Sequence, residues 1–235
     1  LTADGDVSFL NNGRLYAHRG VAGADGGTIN ITSTNGAVNM TGAGSQFYTY
    51  GDRTQASDNS ITISANSMDL RGGILARGND AGNNGGTITL NADNGNIDLT
   101  SNLNVIAGAG ANGGLIDINN SHGNVTVRGV SAYGNGNGNG GTLDINASGT
   151  IDVAGSSDMR AFGTGTAGNV ALTANNVTFT GGSDINAYGS TTGSGGTVDI
   201  NAATLTMNDG SHIQAYGNTG GSIDIDTTGN TTFMD

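Results

Sequence analysis

The chain has 235 residues, of which 44 are Gly, 31 Asn and 29 Thr, and it contains no Lys, Glu, Pro, Trp or Cys. Five Phe and six Tyr exclude a thick aromatic core, the lack of Lys and Glu amid so much Gly and Asn argues against helices, and the absence of Cys removes disulfides, thiolate catalysis and Cys-based zinc sites. All seven basic residues are Arg and all nineteen acidic ones Asp, and the resulting net charge of -12 repels a phosphate backbone, so nucleic acid is not an expected partner.

No window approaches the roughly 18 apolar residues of a membrane span, and residues 1–6 carry neither a basic nor an apolar leader segment. Along the chain, Gly-Gly followed by a short strand recurs: GGTINI at Gly26, GGTITL at Gly85, GGLIDI at Gly113, GGTLDI at Gly140, GGTVDI at Gly195 and GGSIDI at Gly220, with SITI and NVAL in the two gaps. The first apolar residues, Ile29, Ile61, Ile88, Ile116, Leu143, Val170, Val198 and Ile223, are separated by 32, 27, 28, 27, 27, 28 and 25 residues. One unit is therefore about 27 residues long.

Each unit contains three alternating segments, the pattern of a strand with one buried face. The first carries pairs such as Ile88/Leu90 and Leu143/Ile145, and the second carries Val38/Met40, Ile97/Leu99 and Val177/Phe179. The third sets a large residue beside a small one: Leu15/Ala17, Phe47/Thr49, Ile74/Ala76, Val105/Ala107, Val130/Ala132, Met159/Ala161, Ile185/Ala187 and Ile213/Ala215. A four-residue strand cannot cover its own apolar side, so each segment must lie against its counterpart one unit later. The expected fold is all-β: a right-handed parallel β-helix of about eight coils with three short strands per coil, the hand following from the bias of parallel crossovers. Steps of 25 to 32 residues do not fit the six-residue beat of left-handed helices, and the run Gly134 to Gly141, though it alternates Gly, lacks the Asp that a calcium-binding nonapeptide roll requires.

Two positions of the coil have a regular chemistry. Immediately after the first strand come Thr32, Ser64, Asn91, Asn119, Asn146, Thr173, Asn201 and Asp226, read as a hydrogen-bonding ladder at a tight bend. The corner between the third and first strands varies in length and absorbs insertions in Gly-rich loops. On the outer face of the third strand, the position after the small inward residue holds His18, Tyr50, Arg77, Gly108, Tyr133, Phe162, Tyr188 and Tyr216. Four consecutive coils thus line up Tyr133, Phe162, Tyr188 and Tyr216, the candidate ligand-binding residues. They form either a glycan- or protein-contact stripe or a self-stacking ladder that stiffens the sheet.

Outward carboxylates also form columns: Asp117 with Asp144, Asp199 with Asp224, and Asp69 with Asp98. A bridging Ca²⁺ would relieve their repulsion, but two carboxylates and neighbouring Thr and Asn supply only part of its six to eight oxygen ligands, so no cofactor is assigned and solvated faces are the default. Asp117 and Asp144 have the spacing of a glycosidase acid pair. With no Lys, no Arg in that column and short loops around it, no catalytic residues are assigned and the chain is not read as an enzyme. His18, His122 and His212 fall on distant coils, which does not indicate a triad or a metal-His cluster. The outward column Thr28, Ser60, Thr87, Leu115, Thr142, Asn169, Thr197, Ser222 is too irregular for an ice-binding face.

The unit GGTVDINAATLTMNDGSHIQAYGNTGG, residues 195–221, resembles the repeat of filamentous haemagglutinin-like large exoproteins of two-partner secretion systems, and the likeness extends over residues 6–233. The resemblance implies a β-helix forming part of a long fibre, secreted or displayed at a bacterial cell surface, commonly for adhesion. Its secretion domain is not recognisable in the chain. Residues 6–9 and 230–233 read as second-type strands with no cap beyond them. The chain is accordingly expected to be a single rod, residues 1–235, that is a segment of a longer solenoid or a subunit stacking end to end. Its partners are then neighbouring coils or other copies, and host or matrix glycans; the alternative function is a glycan-binding or polysaccharide-active β-helix.

Overall fold

A computed structural model describes residues 1–18, 26–51, 59–78, 81–107, 109–155 and 158–234. The side chain of His18 lies outside the described residues, as does Gly108. Every strand pairing in it is parallel, there is no helix among the described residues, and none is therefore long and apolar enough to cross a membrane.

The strands fall into three families. The first runs Thr2–Ala3, Thr28–Ser33, Ser60–Ala65, Thr87–Ala92, Leu115–Asn120, Thr142–Ala147, the first halves of Asn169–Thr180 and Thr197–Met207, and Ser222–Thr227. The second runs Val7–Phe9, Ala37–Met40, Ser67–Leu70, Ile97–Leu99, Val125–Val127, Thr150–Ala154, the second halves of the same two long strands, and Thr231–Phe233. The third is an 8-stranded sheet: Arg14–His18, Gln46–Gly51, Gly73–Gly78, Leu103–Ile106, Val130–Tyr133, Asp158–Arg160, Asp184–Tyr188 and His212–Tyr216. The strand breaks at the corner between first and second families where the corner holds Gly36, Asn66, Gly95, Gly123 or Gly149; in the two long strands the corners 174–175 and 202–203 carry no glycine and the strand runs on through the bend. The sequence predicts a second-type strand first, but a first-family strand, Thr2–Ala3, precedes it and pairs Thr32 and Ser33.

Register places like on like, as the repeat demands. Ile116 lies against Leu143 and Leu143 against Val170, all essentially inaccessible to solvent. One apolar core runs through the coils, built from the first-family Ile, Leu and Val pairs, the second-family pairs ending in Met207, and the large-small pairs of the third. At about 1.5–3 kcal/mol per buried aliphatic side chain, six such residues per coil are what offsets the ordering of so Gly-rich a chain. Phe47 and Phe179 are its largest fully buried side chains, and Phe9 meets Phe47 edge-on with ring centroids 4.7 Å apart.

The Gly-Gly signature has a steric cause. A Cβ built on the second glycine of the pair, at Gly86, Gly114, Gly141, Gly196 or Gly221, or on Gly168 of the Ala167-Gly168 that stands in the same place, falls closer than 3.0 Å to a backbone carbonyl of the preceding coil, usually that of the previous glycine in the column. At these turns backbone packs so closely on backbone that only hydrogen fits between; the third coil, which carries Asn59 in this column, is the exception.

Two expectations are corrected. In the fourth coil the inward pair of the third strand is Leu103/Val105, in register with Ile74/Ala76 and Val130/Ala132, and not Val105/Ala107. Ile106 therefore takes the outward position assigned to Gly108, between Arg77 and Tyr133. The polar ladder from Thr32 to Asp226 is in register throughout, yet it lies within the first strands and faces outward; the bend follows one residue later. The buried polar residues of the bend are Ser33 and Asn120, whose side chains donate to Gly5 O at 2.7 Å and to Gly95 O and Asn124 O at 2.8 and 2.9 Å, tying consecutive turns together.

Candidate functional site

The outer faces of the three sheets differ in chemistry. The first two carry most of the acid. Asp117 and Asp144 are direct neighbours across coils, as are Asp199 and Asp224. Their repulsion is met by amides. Asn119 donates one amide hydrogen to Asp117 at 2.9 Å and the other to Asn91 of the coil before at 3.3 Å, and Asn146 does the same with Asp144 at 3.1 Å and Asn119 at 3.3 Å. Asn201 donates to Asp199 at 2.9 Å. The Asp-x-Asn spacing thus supplies Asp117, Asp144 and Asp199 with a donor, whereas Asp224 is followed by Asp226 in place of an Asn. The neighbours Asp69 and Asp98 share a cation of the chain itself. Arg71 binds Asp69 in bidentate fashion, 2.9 to 3.1 Å, and its pKa is raised first by that hydrogen bond, then by the charges of Asp69 and Asp98. Among the described residues no group of three or more His, Asp or Glu side chains is placed to hold a metal ion.

The third sheet is aromatic and basic. All six tyrosines of the chain lie on its strands, Tyr16, Tyr48, Tyr50, Tyr133, Tyr188 and Tyr216. Arg14, Arg77 and Arg160 are on it too, with Arg128 just before it. Among the described residues both carboxylates on the strands of this face are paired: Asp158 with Arg160, and Asp184 with His212, whose backbone N–H and Nδ1 lie 2.9 and 3.1 Å from the same oxygen. His212 is thereby placed in a surface pair, and His122 at a first-to-second corner contacts the Asp93 carbonyl at 2.6 Å.

Tyr133, Phe162, Tyr188 and Tyr216 are brought into one column. Their ring centroids are 6.0, 4.6 and 5.4 Å apart in order, passing from edge-on through tilted to a stacked Tyr188–Tyr216 pair with planes 11° apart. Each ring has at least one ring neighbour, and Phe162 and Tyr188 each have one on either side. Stacked in this way, Tyr188 and Tyr216 each turn one ring face to the other, while Tyr216, at the end of the column, stays half exposed. Arg160 donates to the Tyr133 hydroxyl at 3.4 Å, a contact that leads the upward shift of its pKa. A second cluster, formed by Tyr16, Tyr48 and Tyr50 with centroid separations of 6.0 and 5.3 Å, escapes a reading that follows one column only. Tyr16 and Tyr48 stand two residues before that column, in register with Leu75, Asn104, Ser131 and Arg160; alternate positions of QFYTY and RLYAH are the signal that finds them.

Burial in the stack, ahead of the field of Tyr133, raises the pKa of the Tyr188 hydroxyl above that of a free tyrosine. The folded state then holds its proton after the unfolded state has lost it. Stability from this group is complete below the ordinary tyrosine value of about 10 and declines as pH rises through the folded value. Phenolate absorbance should show a tyrosine step above the free value, and Tyr188→Phe should remove that late step and flatten the alkaline fall in melting temperature. A titration in which Tyr188→Phe deletes an early step instead would refute the assignment.

The uninterrupted coil-on-coil register defines the chain as a β-solenoid protein, with the third sheet's outer face as its chemically distinct surface. Comparison with protein families, with curated proteins and with solved structures finds no match in any of the three.

Proposed function

We propose that this chain is a structural β-solenoid of an extracellular fibre or surface adhesin, secreted or held at a bacterial surface, where it mediates attachment or matrix formation. The observation that carries the reading is the uninterrupted stacking of coils: each adds about 4.8 Å of length and covers the apolar side of the one before, so the fold spans distance without needing a globular core. The likeness of residues 195–221 to haemagglutinin-like exoprotein repeats agrees with it. So does the high net negative charge carried mostly by two faces, which keeps such rods soluble and apart.

The test is to raise antibody against the purified chain and label intact, unpermeabilised cells of the source, then compare attachment to glass and to matrix-coated surfaces with and without the gene segment. Labelling of intact cells and loss of attachment on deletion are expected. Labelling that appears only after permeabilisation would overturn the extracellular reading, and unchanged attachment the adhesive one.

A further inference from the structure

The outer face of the third sheet carries a trough that neither the solenoid nor the aromatic column requires. Two hollows of about 340 and about 370 Å³ adjoin at Asn102 and Asn104, which line both, and together they make up the trough along the rod axis. It begins beside Tyr48 in the second coil and ends at the Asp158–Arg160 pair in the sixth. Four coil spacings of about 4.8 Å make it about 19 Å long.

Its depth comes from small residues in register. Gly73 and Asn102 occupy one outward position in successive coils, while in the next outward column Asn104 and Ser131 sit between the larger Leu75 and Arg160. Gly73 is the informative one. A Cβ there would meet nothing within 4 Å, and its φ is not in the left-handed region, in contrast to the Gly-Gly column, where backbone leaves no room. The fold does not demand glycine at position 73; glycine there weakens the strand and keeps the trough floor open.

The geometry points to a binding site for a linear chain of pyranose sugars, lying parallel to the rod axis with about one ring per coil spacing. The lining offers what hydroxyl-rich rings need: amides that both donate and accept at Asn102 and Asn104, a hydroxyl at Ser131, and a charged pair that presents acceptors at Asp158 and donors at Arg160. Tyr48 supplies an aromatic wall at one end. Arg128 on the rim has no carboxylate partner among the described residues and is the group that would meet a sugar acid. The inference goes beyond the fibre reading, since a spacer needs no trough, and it is tested on soluble sugars so that either can fail alone.

Titration calorimetry of the full chain with cellohexaose, chitohexaose and hexagalacturonate is the experiment. At least one is expected to bind, the acidic arm reporting whether Arg128 is used. Gly73→Leu, which fills the floor, and Arg160→Ala, which removes the end wall, are each expected to weaken that binding about tenfold or more, while Thr89→Ala on the first sheet leaves it unchanged. Circular dichroism melting checks each variant, and Gly73→Leu should melt no lower than the parent. Binding of none of the three sugars, or binding retained by a folded Gly73→Leu or by Arg160→Ala, overturns the trough.

Discussion

Phe179→Ala is expected to destabilise the rod by about 3–5 kcal/mol. Phe179 is completely buried and stacked between Val153 of one coil and Met207 of the next. The size of the effect depends on how far the surroundings can close over the space left behind, and here they cannot close far. Coils on both sides are held at the strand spacing by backbone hydrogen bonds along a strand of 12 residues, so a cavity persists. Because coils contact mainly their neighbours, the loss should be concentrated around the seventh coil and visible as a local rise in hydrogen exchange as well as a lower urea midpoint. A loss under about 1 kcal/mol would mean that the core there is looser than its burial implies.

Gly141→Val is expected to cost about 3 kcal/mol or more, although it adds an apolar side chain to a sheet-rich protein. A Cβ at this position lies 2.8 Å from Ala132 Cβ and 2.9 Å from Gly114 N, and is crowded still closer by the Gly114 carbonyl. The obstacle is backbone of the preceding coil, which has no rotamer to yield, so relief requires the coils to separate and forfeits the pairing around it. The contrast with Gly73 is direct: the same class of change is expected to be harmless where the Cβ points into open space. Chemical denaturation of the two variants side by side checks this, and equal midpoints would remove the steric account of the Gly-Gly repeat.

Much of this architecture was legible in the residues. Alternation in segments such as TLDINA and its return after about 27 residues identified three strands per coil and parallel stacking, and in seven of eight coils the large-small pairs of the third strand fell on the positions that face inward. The exception is instructive. Leu103, Val105 and Ala107 alternate equally well as two overlapping pairs, and local pattern cannot choose between them; hydrogen bonding to Ile74/Ala76 and Val130/Ala132 does. The ladder was likewise found as a column but placed on a bend, because whether a polar residue ends a strand or rides its outer face depends on where the chain turns. At two of the corners the turn is tied by Ser33 and Asn120, which bond to carbonyls about one coil back in the chain.

The sequence by itself determined the repeat, its alternation and hence which side chains seek the core, because these follow from residue order and the two-residue period of a strand. Only the tertiary structure decided the columns of the outer surface. Tyr48, Asn104, Ser131 and Arg160 come from four coils, far apart along the chain, and form one wall or floor only because the strands between them keep register to the residue. A slip of one residue in any coil would turn the outer set inward. The trough is therefore a property of the stacking and is encoded in no single repeat.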